Sequence, residues 1–224
     1  MKKEKKTKEK EKKVMPKKKD KGSEVMWVLI VMGVLIASVL VAYFIIQSMK
    51  HFTYEGLDFS KVKYGKLDFY HYYYSFNSGG QIYVNNVYLR IDPRDNKVPV
   101  EGGEIVIYGG KRKYVSVNYT GLSECPDLII AVDEFVKLFT NNLIEVKAAS
   151  PDKSEAQSKN ISYVNCETNE DDMIFQIEKG DKTRVLVGDN NCYKIQVARC
   201  EDVLNAVEKF VVTAISDAKK AGSK

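Results

Sequence analysis

Four cysteines, Cys125, Cys166, Cys192 and Cys200, carry the clearest chemistry in this chain. Thiols in such a set either bond to one another or hold a metal. A zinc knuckle wants ligands about two to four residues apart, and no two of these cysteines are that close. His51 and His71 are the only imidazoles that could assist. An even number of thiols in one region instead fits two disulfides, with three connectivities open. No metal site and no cofactor is expected. Asn118-Tyr119-Thr120 and Asn160-Ile161-Ser162 match the acceptor pattern for N-glycosylation, and Asn160, in a polar stretch, is the better placed of the two.

The catalytic inventory is thin. No GxSxG, HExxH, SxxK or phosphate-cradling glycine loop occurs. The acidic run Glu167-Thr168-Asn169-Glu170-Asp171-Asp172 lacks the glycine and the ordered alternation of a calcium loop, and reads as a solvated turn. The aromatic run Phe69-Tyr70-His71-Tyr72-Tyr73-Tyr74-Ser75-Phe76 is more informative. In a strand, alternation sends Phe69, His71 and Tyr73 to one face and Tyr70, Tyr72, Tyr74 and Phe76 to the other. Both faces cannot be core unless something covers the second. Tyr70, Tyr72 and Tyr74 are therefore candidates for a ring-lined surface that binds a glycan or another protein.

What must position these groups is set by charge and hydropathy. The first 21 residues hold 12 lysines against Glu4, Glu9, Glu11 and Asp20, a net +8, so the remainder of this +5 chain sums to −3. With no apolar periodicity and with Pro16, residues 1–24 read as a disordered tail. A nucleic-acid partner is discounted, because the positive charge lies in a segment without an aromatic ring to stack on a base. From Val25 to Ile46 the chain has no charge, and Trp27 and Tyr43 flank it near its ends. A helix of that length, at ~1.5 Å per residue, spans a bilayer core of ~30 Å. Residues 25–47 are thus expected to be a single transmembrane helix. The lysine excess places the N-terminus in the cytoplasm and the rest outside. Lys21-Gly22 also resembles the cleavage site of archaeal pilin-like signals, although Glu24 lies closer to it than that pattern has.

Residues 48–219 read as one α+β domain, with 220–224 disordered. Turn signals at Asn77-Ser78-Gly79-Gly80, Asp92-Pro93, Gly102-Gly103 and Gly109-Gly110 divide a β-rich stretch from Phe52 to Val117 into short strands. Apolar residues then recur at helical spacing from about Pro126 to Asn142. A polar loop is expected over 148–160. Strands follow at 161–166, 173–178, 184–187 and 192–198, and a closing helix at about 201–218. The expected architecture is a mainly antiparallel sheet with two helices packed on it, each by one apolar stripe. CPDLIIAVDEFV (125–136) aligns with CEDVLNAVEKFV (200–211), and IVIYGGKRKYVSV (105–117) with RVLVGDNNCYKIQ (184–196). Two pseudo-symmetric ββα-type halves are the expectation.

The lysine-rich tail, single anchor, Asp92-Pro93-Arg94 turn and final CEDVLNAVEKF helix resemble uncharacterised single-pass proteins of small-genome archaea. That resemblance implies a cell-envelope setting and no activity. The sequence thus points to a non-enzymatic, membrane-anchored interaction or structural module. Its expected partners are the lipid bilayer and another envelope or membrane protein, or a glycan. The alternatives are an accessory subunit of a larger membrane complex, using Gly33, Ala37 and Ser38 as a small-residue helix contact, a pilin-like protein, or an envelope enzyme.

Overall fold

The computed structural model describes residues 21–48, 50–167 and 171–222. The lysine tail through Asp20, the middle of the acidic run and the last two residues lie outside them. The chain divides into two compact units after Ser48. The first holds helix α1 (Lys21–Ser48), whose apolar stretch Val25–Ile45 has 21 residues and no side chain buried. It is long and apolar enough to cross a membrane.

The second unit begins with an antiparallel meander in the order β1-β2-β3-β4, formed by β1 (His51–Tyr54), β2 (Leu57–Tyr64), β3 (Leu67–Ser78) and β4 (Gln81–Leu89). Its longest hairpin turns on Gly79 and Gly80, with φ of 60° and 81°. Two consecutive positive φ angles match the twist of the flanking strands, and paired glycines supply them without steric cost. The register runs from Ser78↔Gln81 to Tyr70↔Leu89 without a bulge.

The remaining elements, in chain order, are β5 (Val100–Glu101), β6 (Lys113–Val117), α2 (Tyr119–Leu122), α3 (Leu128–Thr140), β7 (Lys147–Ser150), α4 (Lys153–Lys159), β8 (Ser162–Tyr163), β9 (Met173–Lys179), β10 (Arg184–Val187), β11 (Cys192–Val197), a 3-10 turn (Cys200–Asp202) and α5 (Val203–Gly222). The seven strands form a second sheet in the order β5-β10-β11-β9-β6-β7-β8. The antiparallel character expected from the sequence holds for the first sheet and for the β10–β11 hairpin, while the other pairings here run parallel. The turn after Lys179 closes no hairpin, because β9 lies beside β11 and β6 rather than β10. Met173, Ile174, Phe175, Gln176 and Ile177 are all buried, as befits a strand covered on both faces.

Helices α3 and α5 fill the space between the two sheets. Rings of Phe135, Phe139, Phe175, Tyr193 and Phe210 interlock there, with Phe139 and Phe175 centred 4.7 Å apart and Phe135 and Phe210 5.1 Å. Leu57, Phe59, Tyr72 and Leu89 close the same core from the first sheet. Helix α5 is therefore buried on two sides rather than along one stripe, from Val203 through Asp217. It also runs to Gly222, so residues 220–222 are helical where disorder was expected. The polar stretch 148–160 is not a loop either. Ser150 ends a strand, and Asp152 caps α4 by accepting a hydrogen bond from the Glu155 N–H at 2.8 Å. The expected repeat keeps its strand-then-helix part in β6–α3 and β11–α5. A hairpin precedes the helix only in the second half, since residues 105–107 form no strand.

Candidate functional site

The first sheet has one covered and one bare face. Tyr70, Tyr72 and Tyr74 point toward the helices, with Tyr72 buried and the other two half-buried against the core. The surface anticipated at these three tyrosines is thus packed, although Tyr72 and Tyr74 also line a groove of about 550 Å³ with Ile144, Ile215 and Lys219. The uncovered rings are on the opposite face. There His71 stacks on Tyr88 with centroids 4.6 Å apart, and Tyr64 lies edge-on to both Phe69 and Tyr88. His71 Nε2 is 2.9 Å from Asn86 Oδ1. Tyr73, Ile82 and Val84 extend this face at 66%, 75% and 61% exposure. Such a contiguous apolar patch marks an interaction surface more often than chance exposure.

Strand β4 bounds that face and is the outermost strand of its sheet. Because Ser78↔Gln81 closes a two-residue hairpin, the odd-numbered residues of β4 exchange hydrogen bonds with β3. The backbone groups of Ile82, Val84, Asn86 and Tyr88 consequently point away from the sheet. Among the described residues, none of these four makes a backbone hydrogen bond to any element beyond β3. A groove of about 630 Å³ runs beside the second half of this edge, with Asn86, Tyr88 and Arg90 on one wall and Ile129, Asp133 and Lys137 of α3 on the other. An open strand edge beside a helix accepts an extended chain by strand addition.

Two carboxyls, Glu134 and Glu208, line the same groove. Glu208 of α5 is buried, and its oxygens accept from the backbone N–H of Arg90 at 2.6 Å and of Ile91 at 3.1 Å. Glu134 of α3 is held by Arg90 Nε at 3.2 Å, and its second oxygen is buried without another donor. Burial, reinforced by the Glu134 charge, pushes the Glu208 carboxyl up to about 8. Burial also raises Glu134, against the opposing pull of Arg90. A proton on Glu208 directed at the second Glu134 oxygen satisfies both groups. Sequence reading passed over this pair, yet Glu208 stands between Leu204 and Val211 on the apolar stripe of its helix, which is the signal for a partnered buried acid.

The thiols pair as Cys125–Cys200 and Cys166–Cys192, with Cα–Cα distances of 4.7 and 5.6 Å. The first joins the segments that lead into α3 and α5. Of the glycosylation candidates, Asn160 is exposed at the end of α4 with φ of 52°. Asn118 is half-buried, and its Oδ1 accepts from the Gly121 N–H at 2.8 Å. In the acidic run, Asp172 is buried and paired with Arg112 Nε at 2.8 Å, whereas 168–170 lie outside the described residues. Among the described residues no group of three or more His, Cys, Asp or Glu side chains is placed to hold a metal. Compared with known proteins, the chain matches no family model, no curated protein and no solved structure.

Proposed function

We propose that this chain is a membrane-anchored interaction module that presents a docking strand on the extracytoplasmic side, with its lysine tail in the cytoplasm. The observation that carries the reading is the β4 edge, nine residues long, uncharged and unpaired beside a groove of about 630 Å³. An extended protein segment seated there gains main-chain hydrogen bonds from Ile82, Val84, Asn86 and Tyr88, and buries side chains against Ile129. The orientation is supported by the +8 tail before an apolar helix. Two disulfides suit an oxidising compartment.

A photo-crosslinking residue at position 86 tests the docking edge, with position 153 on exposed α4 as the control. In membranes holding the full chain, adducts with protein form at 86 and not at 153, and Val84→Pro abolishes them. Proline there removes an outward N–H while leaving the bonds to β3 intact. Adducts that survive Val84→Pro, or none at 86, would refute the docking strand. Protease protection of the folded domain in sealed cells, with cleavage after lysis, would overturn the orientation.

A further inference from the structure

We infer that the segment docked on β4 is β4 of a second copy of this chain, the two strands running antiparallel about a twofold axis and joining two four-stranded sheets into one of eight. The inference rests on the reading of β4 as a docking edge and names its occupant.

The two sheets have four terminal strands. Three are short: β1 has four residues, and β5 and β8 have two each. Short length is a common protection against unwanted pairing, as are charges, prolines and bulges on a longer edge. Strand β4 has none of these protections. Its nine residues, Gln-Ile-Tyr-Val-Asn-Asn-Val-Tyr-Leu, include no charge and no proline, and they pair with β3 in unbroken register. An edge of this kind is suited to being covered.

Its geometry is compatible with covering by itself. In an antiparallel pair, residues directly opposite share a face and a hydrogen-bonding direction. An even-numbered residue of β4 must therefore meet an even-numbered residue of the second copy. Complete overlap of the two strands satisfies this condition with the axis at Asn85. Ile82 then lies opposite Tyr88 of the second copy, and Val84 opposite Asn86. All four positions on each strand gain backbone partners, and the aliphatic–aromatic pairs are of a stabilising kind. The bare face with Tyr73, Ile82, Val84 and Tyr88 becomes continuous across the join. On the groove wall, α3 offers both Asp133 and Lys137, ion-paired at 2.6 Å and about 60% exposed. A twofold mate presents the same two opposite charges, so that edge is complementary to itself.

A second observation comes from the other unit. Helix α1 carries Gly33 and Ala37 four residues apart, a spacing that lets identical membrane helices approach closely. Anchoring in one bilayer also raises the effective concentration of copies for each other.

The test uses the full chain, labelled in donor and acceptor populations and reconstituted in phosphatidylcholine vesicles at high lipid dilution. Energy transfer above the level of random mixing is expected. Val84→Pro/Asn86→Pro is expected to weaken association by at least about tenfold, since four N–H donors per dimer are lost. Val84→Lys/Asn86→Lys provides an alternative that removes no backbone donor and sets lysines against each other; near-UV circular dichroism verifies the fold of each variant. No transfer in the wild type, with crosslinks at position 86 to a different protein, overturns the second copy and leaves the docking strand standing. Transfer that persists in both β4 variants but is lost in Gly33→Leu assigns the contact to α1 and overturns the β4 pairing. If neither transfer nor crosslinking at 86 depends on β4, both readings fall.

Discussion

Glu208 in the middle of α5 accepts a 2.6 Å hydrogen bond from the backbone N–H of Arg90, one residue past the end of β4. This bond, with its companion from Ile91, ties the first sheet to the helix layer through a carboxyl that burial pushes up to about 8. An acid with a folded pKa above its unfolded value of about 4.3 binds more protons when folded. Its contribution is complete below that unfolded value and is lost as pH rises through about 8. The melting temperature of the full chain in mild detergent should therefore decline between pH 5 and pH 8 by way of this group. Glu208→Gln cannot ionise, and its one amide oxygen keeps only one of the bonds from Arg90 and Ile91, so it should be less stable throughout but its melting temperature should vary less over the same interval. An equally steep profile in the variant would place the titration elsewhere.

The two disulfides should differ in worth. Cys125–Cys200 closes a separation of 75 residues and Cys166–Cys192 one of 26. By loop-closure entropy these correspond to about 4.5 and about 3.5 kcal/mol. Paired alanine substitutions, compared by denaturant titration under identical conditions, should show the larger loss for Cys125/Cys200. Equal or reversed losses would mean that residual structure in the unfolded chain outweighs loop length.

Tyr74 is the centre of a polar link between β3, β4 and the end of α3. Its hydroxyl receives Asn85 Nδ2 at 2.8 Å and donates to Asn142 Oδ1 at 3.0 Å. Asn85 is buried, so Tyr74→Phe strands a desolvated amide at a cost of about 1 to 3 kcal/mol. A loss below about 0.5 kcal/mol in denaturant titration would show that Asn85 Nδ2 finds another acceptor, since Asn141 Nδ2 donates to Asn85 Oδ1 at 3.3 Å and cannot accept from it.

Expression in a secretory host distinguishes the two acceptor asparagines. Exposed Asn160 should carry a glycan and Asn118, whose side chain is engaged by the Gly121 N–H, should not. A gel shift removed by Asn160→Gln and unaffected by Asn118→Gln is the expected result. An unmodified wild-type chain would count against translocation of the domain.

Local signals in the sequence were dependable. The uncharged stretch after Glu24, the helical spacing around Phe135 and Phe210, and the Gly79-Gly80 hairpin all correspond to elements seen in the structure. Helix α4 lies in the stretch whose polar composition reads as a loop, although Asp152 and Glu155 have the spacing of a capping box. Strand pairing was less legible for a physical reason. Whether β9 lies beside β10 or between β11 and β6 depends on contacts across many residues, which no local pattern records. The alternation of tyrosines in β3 was read correctly as two faces. Which face α3 and α5 would cover was not encoded within the strand itself, so the bare surface proved to be that of His71 and Tyr73.

The burial of α5 between two sheets also bears on the order of synthesis. Every strand described precedes Val203 in the chain. As the polypeptide is made from its N-terminus, the tyrosine-rich inner face of the first sheet emerges more than 100 residues before helix α5, which covers it together with α3. Until α5 arrives, that face has only α3 to pack against, and the core that Leu57, Phe59 and Tyr72 share with α5 stays open. The nascent domain is therefore open to capture or aggregation through much of its synthesis, and completion of the core depends on the arrival of α5.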